Sequence, residues 1–317
     1  MSFKHIKHPE LFQGSKKKNN YFEGWYFKFV SKKEESSIAF IPGVSINKKD
    51  PHSFIQVFIS TKDSLKTHYF KFPISDFTYN KDEFKIDIND NHFEKDYVRI
   101  HLTDEQTIIS AIFDLNAHTP IKTNLYQPNI MGPFAYLGFM ECYHGIVSMR
   151  SVFSGELKVN DHLTTFTNDV AYIEKDWGKS FPRKYIWLQS NHFKNEHTTF
   201  MFSYAIIPFK LFFFKGLIVN FIYDNKEYRF STYNRSKIKI VSLGEMTSTF
   251  KLKKGKYTLE VTANKEKDAV LVSPSNGQMI NTIKEGLSGT ISLKLYHKNT
   301  LLYEDLGKHA GIELMWM

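Results

Sequence analysis

The chain has 317 residues, 42% of them hydrophobic and 16% aromatic, and a formal net charge of +9. That length suits two domains of ordinary size, and the apolar content supports a packed core and excludes disorder as the default. The positive charge is nearly all lysine, a poor bidentate reader of phosphate or base edges, so specific nucleic-acid binding is not expected, whereas weak attraction to an anionic membrane surface is.

Along the chain, short runs of Phe, Tyr, Ile and Val are separated by Asn, Asp, Gly and Lys. They predict strands at 21–30, 37–46, 52–60, 67–78, 83–89, 96–102 and 107–115. Residues 124–141 are irregular and are read as holding a short helix. Further strands are predicted at 143–149, 153–159, 163–174, 183–193, 198–207, 211–223, 227–233, 237–243, 246–253, 256–263 and 289–297. Gly, Ser and Pro cluster between Gly178 and Pro182, which places a boundary there, with one barrel over 1–178 and a second over 179–317. About ten strands precede the boundary and about eight follow it, ordinary numbers for two barrels and too many for one. The fold class is therefore read as all-β, two antiparallel barrels in tandem. Both halves open on a similar aromatic strand, YFEGWYFKF and KYIWLQSNHF, as a duplicated module would.

The single cysteine, Cys142, allows no intramolecular disulfide and fits a reducing compartment. The N-terminus, MSFKHIKHPELFQG, lacks the apolar stretch of a signal peptide. The most apolar stretch, Ala205 to Tyr223, is broken by Pro208, Lys210 and Lys215, short of the roughly 20 residues of a helical span. A cytoplasmic location with peripheral membrane contact is expected. Within that stretch, phenylalanines flanked by lysines from Pro208 to Leu217 would suit a bilayer surface if exposed.

Strand alternation sorts the candidate site residues by face. Tyr21, Glu23, Trp25, Phe27 and Phe29 share one face, and a carboxylate among four aromatics suits either a general acid or a group paired with a lysine. In YIEKDWGKSFPRKYIWLQSN, Tyr172, Glu174 and Asp176 share a face opposite Ile173, Lys175 and Trp177. Two carboxylates on one face either share a proton or are held by a cation such as Lys175 or Arg183. Further on, Tyr185, Trp187, Gln189 and Asn191 share a face, as in a ligand cavity with a few fixed polar contacts or a satisfied barrel end. His52, Phe54, Gln56 and Phe58 share another, and so do Met140, Cys142 and His144. A lone histidine on an apolar face is more often a satisfied core residue than a catalyst. No phosphate loop, dinucleotide fingerprint, nucleophile elbow or paired-cysteine motif is present, and His5 and His8 lack further ligands, so neither cofactor nor metal is expected.

The blocks YFEGWYFKFV, HSFIQVF, MGPFAYLGFMECYHGIVSM, YIEKDWGKSFPRKYIWLQSNHF and GKHAGIEL, in this order, resemble the tocopherol cyclase family. The wider group is similar to the paired lipocalin-like barrels of carotenoid hydratase and AttH-like proteins, where a D-x-E-W-type motif sits at the place of EKDWG. The resemblance implies two lipocalin-like barrels and cofactor-free, acid-catalysed cyclisation of a prenylated hydroquinone or related isoprenoid. On that reading Asp176 and Glu174 are acids, and Glu23 is a second acid or base. Trp25, Trp177 and Trp187 form a cation-stabilising wall. Gln56, Gln189 and Asn191 orient ring hydroxyls, and His144 contacts the ligand. The family pattern has Asn where Asp176 stands, so the acid role of Asp176 rests on this sequence's own chemistry. The partner expected is a hydrophobic small molecule. The competing readings are a non-catalytic lipocalin-like carrier of such a molecule and a barrel pair with fully packed interiors.

Overall fold

The computed structural model describes residues 3–316 except 32, 34, 35, 63, 210 and 211. The predicted strand 211–223 therefore begins on a residue outside the described residues. A short helix, α1 (Phe3–Lys7), opens the chain. The first sheet has 11 strands: β1 (Tyr21–Ser31), β2 (Ser36–Ile46), β3 (His52–Ser60), β4 (Leu65–Pro73), β5 (Phe77–Tyr79), β6 (Lys85–Ile88), β7 (Asn91–Glu94), β8 (Tyr97–Thr103), β9 (Ile108–Asn116), β10 (Cys142–Val159) and β11 (His162–Gly178). Their order is β4-β3-β2-β1-β11-β10-β9-β8-β7-β6-β5. The second sheet comprises β12 (Tyr185–Ser190), β13 (Thr199–Phe209), β14 (Phe212–Tyr223), β15 (Lys226–Ser231), β16 (Lys237–Leu243), β17 (Thr247–Lys254), β18 (Tyr257–Asn264), β19 (Ala269–Ser275), β20 (Gln278–His297) and β21 (Thr300–Met315). Its order is β15-β14-β13-β12-β21-β20-β18-β17-β16, with β19 paired to β20.

Both sheets are lipocalin-like, each curled around an aromatic core. Strands β1 and β9 stand three places apart in the first sheet, about 14 Å along a flat one. Yet the Phe29 and Phe113 rings meet at 4.5 Å, and Phe27 reaches Phe93 of β7 at 5.4 Å. Only a sheet wrapped on itself brings them together. In the second sheet Phe202 of β13 meets Phe250 of β17 at 5.1 Å, and Lys254 Nζ donates to the Arg229 carbonyl across the closure at 3.0 Å.

The chain divides into two compact units. One contains 3–59, 66–181 and 272–281 of the described residues, and the other 60–65, 182–271 and 282–316. The tip of the β19–β20 hairpin thus belongs to the first unit.

Several elements differ from the sequence expectation. Residues 124–141 hold a 3-10 turn, Gly132–Tyr136, and no α-helix. The predicted strands 143–149 and 153–159 are one strand, β10, whose register shifts between Ile146 and Ser148 and between Ser148 and Ser151 interrupt the alternation. Strands β7, β19 and β21 and the first half of β20 were not expected. Polar and exposed residues such as Asn281 and Thr282 in β20, and the glycines of GKHAG in β21, hide the two-residue period.

Candidate active site

The two aromatic–carboxylate segments of the sequence are partly one structure. Strand β1 runs antiparallel to β11, with Glu23 opposite Trp177, Gly24 opposite Asp176, Trp25 opposite Lys175 and Tyr26 opposite Glu174. On the other side of β11, β10 places Tyr143 opposite Trp177, His144 opposite Asp176 and Ile146 opposite Glu174. Directly opposed residues share a face. One face therefore carries Glu23, Trp25, Lys175 and Trp177, and the reverse face carries His144, Glu174 and Asp176.

The first of these is the barrel interior, continuous with Phe27 and Phe29. Glu23 and Lys175 are fully buried there and form an ion pair. Glu23 also accepts hydrogen bonds from Tyr21 Oη at 2.5 Å and from the Gln13 backbone N–H at 2.8 and 3.1 Å. Lys175 donates to the Leu11 carbonyl at 2.5 Å and lies 4.5 Å from the Trp25 ring centroid and 5.1 Å from that of Trp177. Burial lowers the Lys175 pKa, and the Glu23 carboxylate opposes that shift. The Trp25 indole donates to the Glu10 carbonyl at 2.8 Å. Gly145 leaves room for Pro9, which would stand 2.5 Å from a Cβ there. Residues 9–13 thus stopper the barrel, and the polar groups of Glu23, Trp25 and Lys175 are spent on holding them.

The reverse face is differently served. His144 Nδ1 lies 2.9 Å from Asp176 Oδ1, and Nε2 lies 3.4 Å from Glu174 Oε2 without hydrogen-bond alignment. Tyr172 Oη donates to Glu174 Oε2 at 2.5 Å. Burial presses the His144 pKa down, but the charges of Asp176 and Glu174 and the Asp176 hydrogen bond outweigh it and push the pKa up to about 9. His144 is therefore an imidazolium at neutral pH, with Nδ1–H donated to Asp176 and Nε2–H buried without a hydrogen-bond partner. The sequence suggested Lys175 or Arg183 as the cation for the carboxylate pair. Alternation sends Lys175 to the interior, Arg183 is exposed in the second unit, and His144 from β10 takes the role.

Apolar side chains flank this trio. Phe22, Tyr26 and Ile146 are buried on the same face. The Asp176 side chain is 27% exposed, against 11% for His144 and 5% for Glu174, so the cluster opens at Asp176. A Cβ on Gly24, the neighbour of Asp176 across the ladder, would meet nothing nearer than 3.7 Å. Gly178 ends β11 at φ +148°, where a Cβ would stand 2.2 Å from the Glu141 carbonyl oxygen, which accounts for glycine in KDWG. Burial, followed by Asp176 and Glu141, raises the Cys142 pKa well above the ordinary thiol range, so this thiol is no thiolate nucleophile. Ligand-type atoms of His144, Glu174 and Asp176 also lie within 4.8 Å of one another, a span compatible with a cation. Nδ1 and Oδ1 are hydrogen-bonded to each other.

The remaining candidates lie elsewhere. The Gln56 carboxamide clamps the Val272 backbone with two hydrogen bonds of 2.9 Å. His52 is satisfied by the Asp50 carbonyl at 2.8 Å and Tyr69 Oη at 2.7 Å. Trp187, Gln189 and Asn191 are buried in the second unit, and β12 turns Trp187 and Gln189 away from the core that takes Ile186 and Leu188. What sequence reasoning missed is the centrality of His144. The readable signal was the shared parity of 142, 144 and 146 with 174 and 176 once the two strands are paired.

A model of the family described as tocopherol cyclase-like matches residues 117–314, more than half of the chain. The chain belongs to the tocopherol cyclase-like family. The matched span carries His144, Glu174 and Asp176 and stops short of Glu23 and Trp25. Solved structures share the fold across most of both chains. An AttH candidate from Nitrosomonas europaea is 12% identical, with TM-score 0.56 over 94% of this chain and 92% of that one. CghA with Sch210972 is 6% identical, with TM-score 0.61 over 93% and 88%. Kievitone hydratase from Nectria haematococca is 8% identical, with TM-score 0.54 over 93% and 89%. At these identities the likeness concerns the fold. A search of curated protein sequences gives no significant match.

Proposed function

We propose that the protein is an acid catalyst that cyclises a prenylated hydroquinone or related isoprenoid at the His144–Glu174–Asp176 cluster. The observation that carries this reading is the placement of His144, with Nδ1 2.9 Å from Asp176 and a buried Nε2 that makes no hydrogen bond; the two carboxylates raise its pKa to about 9, which favours the imidazolium. The Nε2 proton goes to the less substituted carbon of the prenyl double bond. The phenol oxygen bonds to the tertiary carbon and closes the ring. The phenol proton passes to Glu174, whose Oε2 is 3.4 Å from Nε2, and from there restores the imidazolium. The sum is an isomerisation that consumes no oxidant, reductant or water. Phe22 and Tyr26, buried on the same face of the sheet, are the aromatic residues this reading assigns to stabilise the developing cation and exclude water. Family membership supports the substrate class, and the cluster supports the acid role.

The test is turnover in D₂O over a panel of prenylated hydroquinones. The reading expects chromanol carrying one carbon-bound deuterium from wild-type protein and none from His144→Gln. Tight binding of the same compounds with no product from folded protein would replace catalysis by a carrier role.

A further inference from the structure

The β13–β14 hairpin breaks the rule that governs the rest of its sheet. Near the core its inward residues Phe200, Phe202, Val219 and Phe221 are fully buried. Towards the tip the pairs are Ile206 with Lys215, Ile207 with Phe214, Pro208 with Phe213 and Phe209 with Phe212. One face of the tip is thus Ile207, Phe209, Phe212 and Phe214, and the other includes Ile206, Pro208 and Phe213. A strand with one buried face should be polar on the other. Here both faces are largely apolar and each ends on an exposed ring: Phe212 is 57% and Phe213 71% exposed, while Ile206, Ile207, Pro208, Phe209 and Phe214 are half-buried. The Phe209 ring lies 5.1 Å from that of Phe212 and 5.8 Å from that of Phe214, so the tip is a preformed aromatic cluster.

The charge around this tip has one sign. No Asp or Glu occurs from His197 to Tyr223. Lys215 is exposed on the hairpin. Lys184, also exposed, is tied to it by the Ile206 N–H at 2.9 Å, with exposed Arg183 beside it. Thr232 Oγ1 bonds to the Leu217 N–H at 2.8 Å and to the Lys215 carbonyl at 3.3 Å, which brings exposed Arg235 near the same strand. Phenylalanines at a tip and cations behind it match the two layers of an anionic bilayer surface, acyl chains below and phosphate above. The net charge of +9 favours the same partner over long range.

We infer that the β13–β14 hairpin is a membrane-contact element that inserts Phe212 and Phe213 into the interfacial layer of an anionic bilayer. The inference stands on exposure and charge and is independent of the acid site.

The experiment is flotation of the full chain with vesicles of phosphatidylcholine, with and without phosphatidylglycerol, at low and high salt and without substrate. The wild type binds the anionic vesicles, and high salt weakens that binding. Phe212→Ser with Phe213→Ser lowers it about tenfold or more, because two exposed rings lose their apolar partner. Lys215→Glu lowers it several-fold at low salt and less at high salt. Tyr126→Ser, at an exposed aromatic of the first unit, leaves it unchanged. Circular dichroism and gel filtration check that all variants keep the wild-type fold. The inference is overturned if the wild type binds neither vesicle, if the Phe variant binds as well as the wild type, or if Tyr126→Ser loses as much. It is also overturned if the Phe variant changes the oligomeric state while vesicle binding is absent, which would make the hairpin a face for a second copy.

Discussion

Strand β11 carries two buried charge clusters back to back, Lys175–Glu23 on the barrel interior and His144–Glu174–Asp176 on the reverse face. The two charged groups of the first are held by each other, Tyr21, the Gln13 amide and the Leu11 carbonyl, although Trp177 Nε1 beside them makes no hydrogen bond. In the second, His144 Nε2 makes no hydrogen bond and faces the Glu174 carboxylate at 3.4 Å. Glu23 is the more buried carboxylate, and the Asp176 side chain is the more open one at 27%. A buried, fully satisfied ion pair fixes a conformation.

That contrast can be broken by substitution. His144→Gln is expected to lower turnover by about 10²–10⁴-fold, the usual worth of a positioned general acid. Its unfolding transition in urea should stay cooperative. The interior pair should behave in the opposite way. Glu23→Ala leaves Lys175 buried without its carboxylate and is expected to cost about 3–5 kcal/mol of stability, read from urea unfolding. The protein that remains folded should keep its turnover number. A Glu23 or Lys175 variant of normal stability and lost turnover would move the chemistry into the barrel.

The pH dependence sharpens the same contrast. His144 has a folded pKa of about 9, above the ordinary 6.5. The stability it contributes is fully present below the ordinary value, declines between the two, and is gone above about 9. This contribution is worth a few kcal/mol, and turnover should fall along the same alkaline limb as the acid deprotonates. In Asp176→Asn the largest favourable charge is lost and the limb should move to lower pH, an effect that a merely structural role for Asp176 would not produce. The smallest expected effect lies in the stopper. Gln13 Nε2 bonds the carbonyls of His5, His8 and Leu11, and Gln13→Ala should cost about 1 kcal/mol in urea unfolding with turnover unchanged.

Much of the fold was legible because strand alternation and aromatic content are local properties. The faces of β1 and β11 followed from counting by two, including the separation of Asp176 from Trp177. The partner of each carboxylate was not legible, because it depends on strand order. Glu23 takes Lys175 from a strand 152 positions on, and Asp176 takes His144 from 32 positions back. Nor could the sequence show that residues 9–13 fill the interior where Trp25 and Glu23 were expected to meet a ligand. The aromatic run at 208–217 was readable as apolar, but the exposure of Phe212 and Phe213 on opposite faces needed the structure. Trp187, Gln189 and Asn191, read as ligand contacts or a satisfied barrel end, are buried in the second unit.

The most direct test of the account is the titration of His144 by NMR, with ring carbon or nitrogen labels, in the wild type and in Asp176→Asn. The account predicts a pKa near 9 in the wild type and a clear fall in the variant. A wild-type value at or below 6.5 would contradict it, because His144 would then be neutral at pH 7 and have no proton to give.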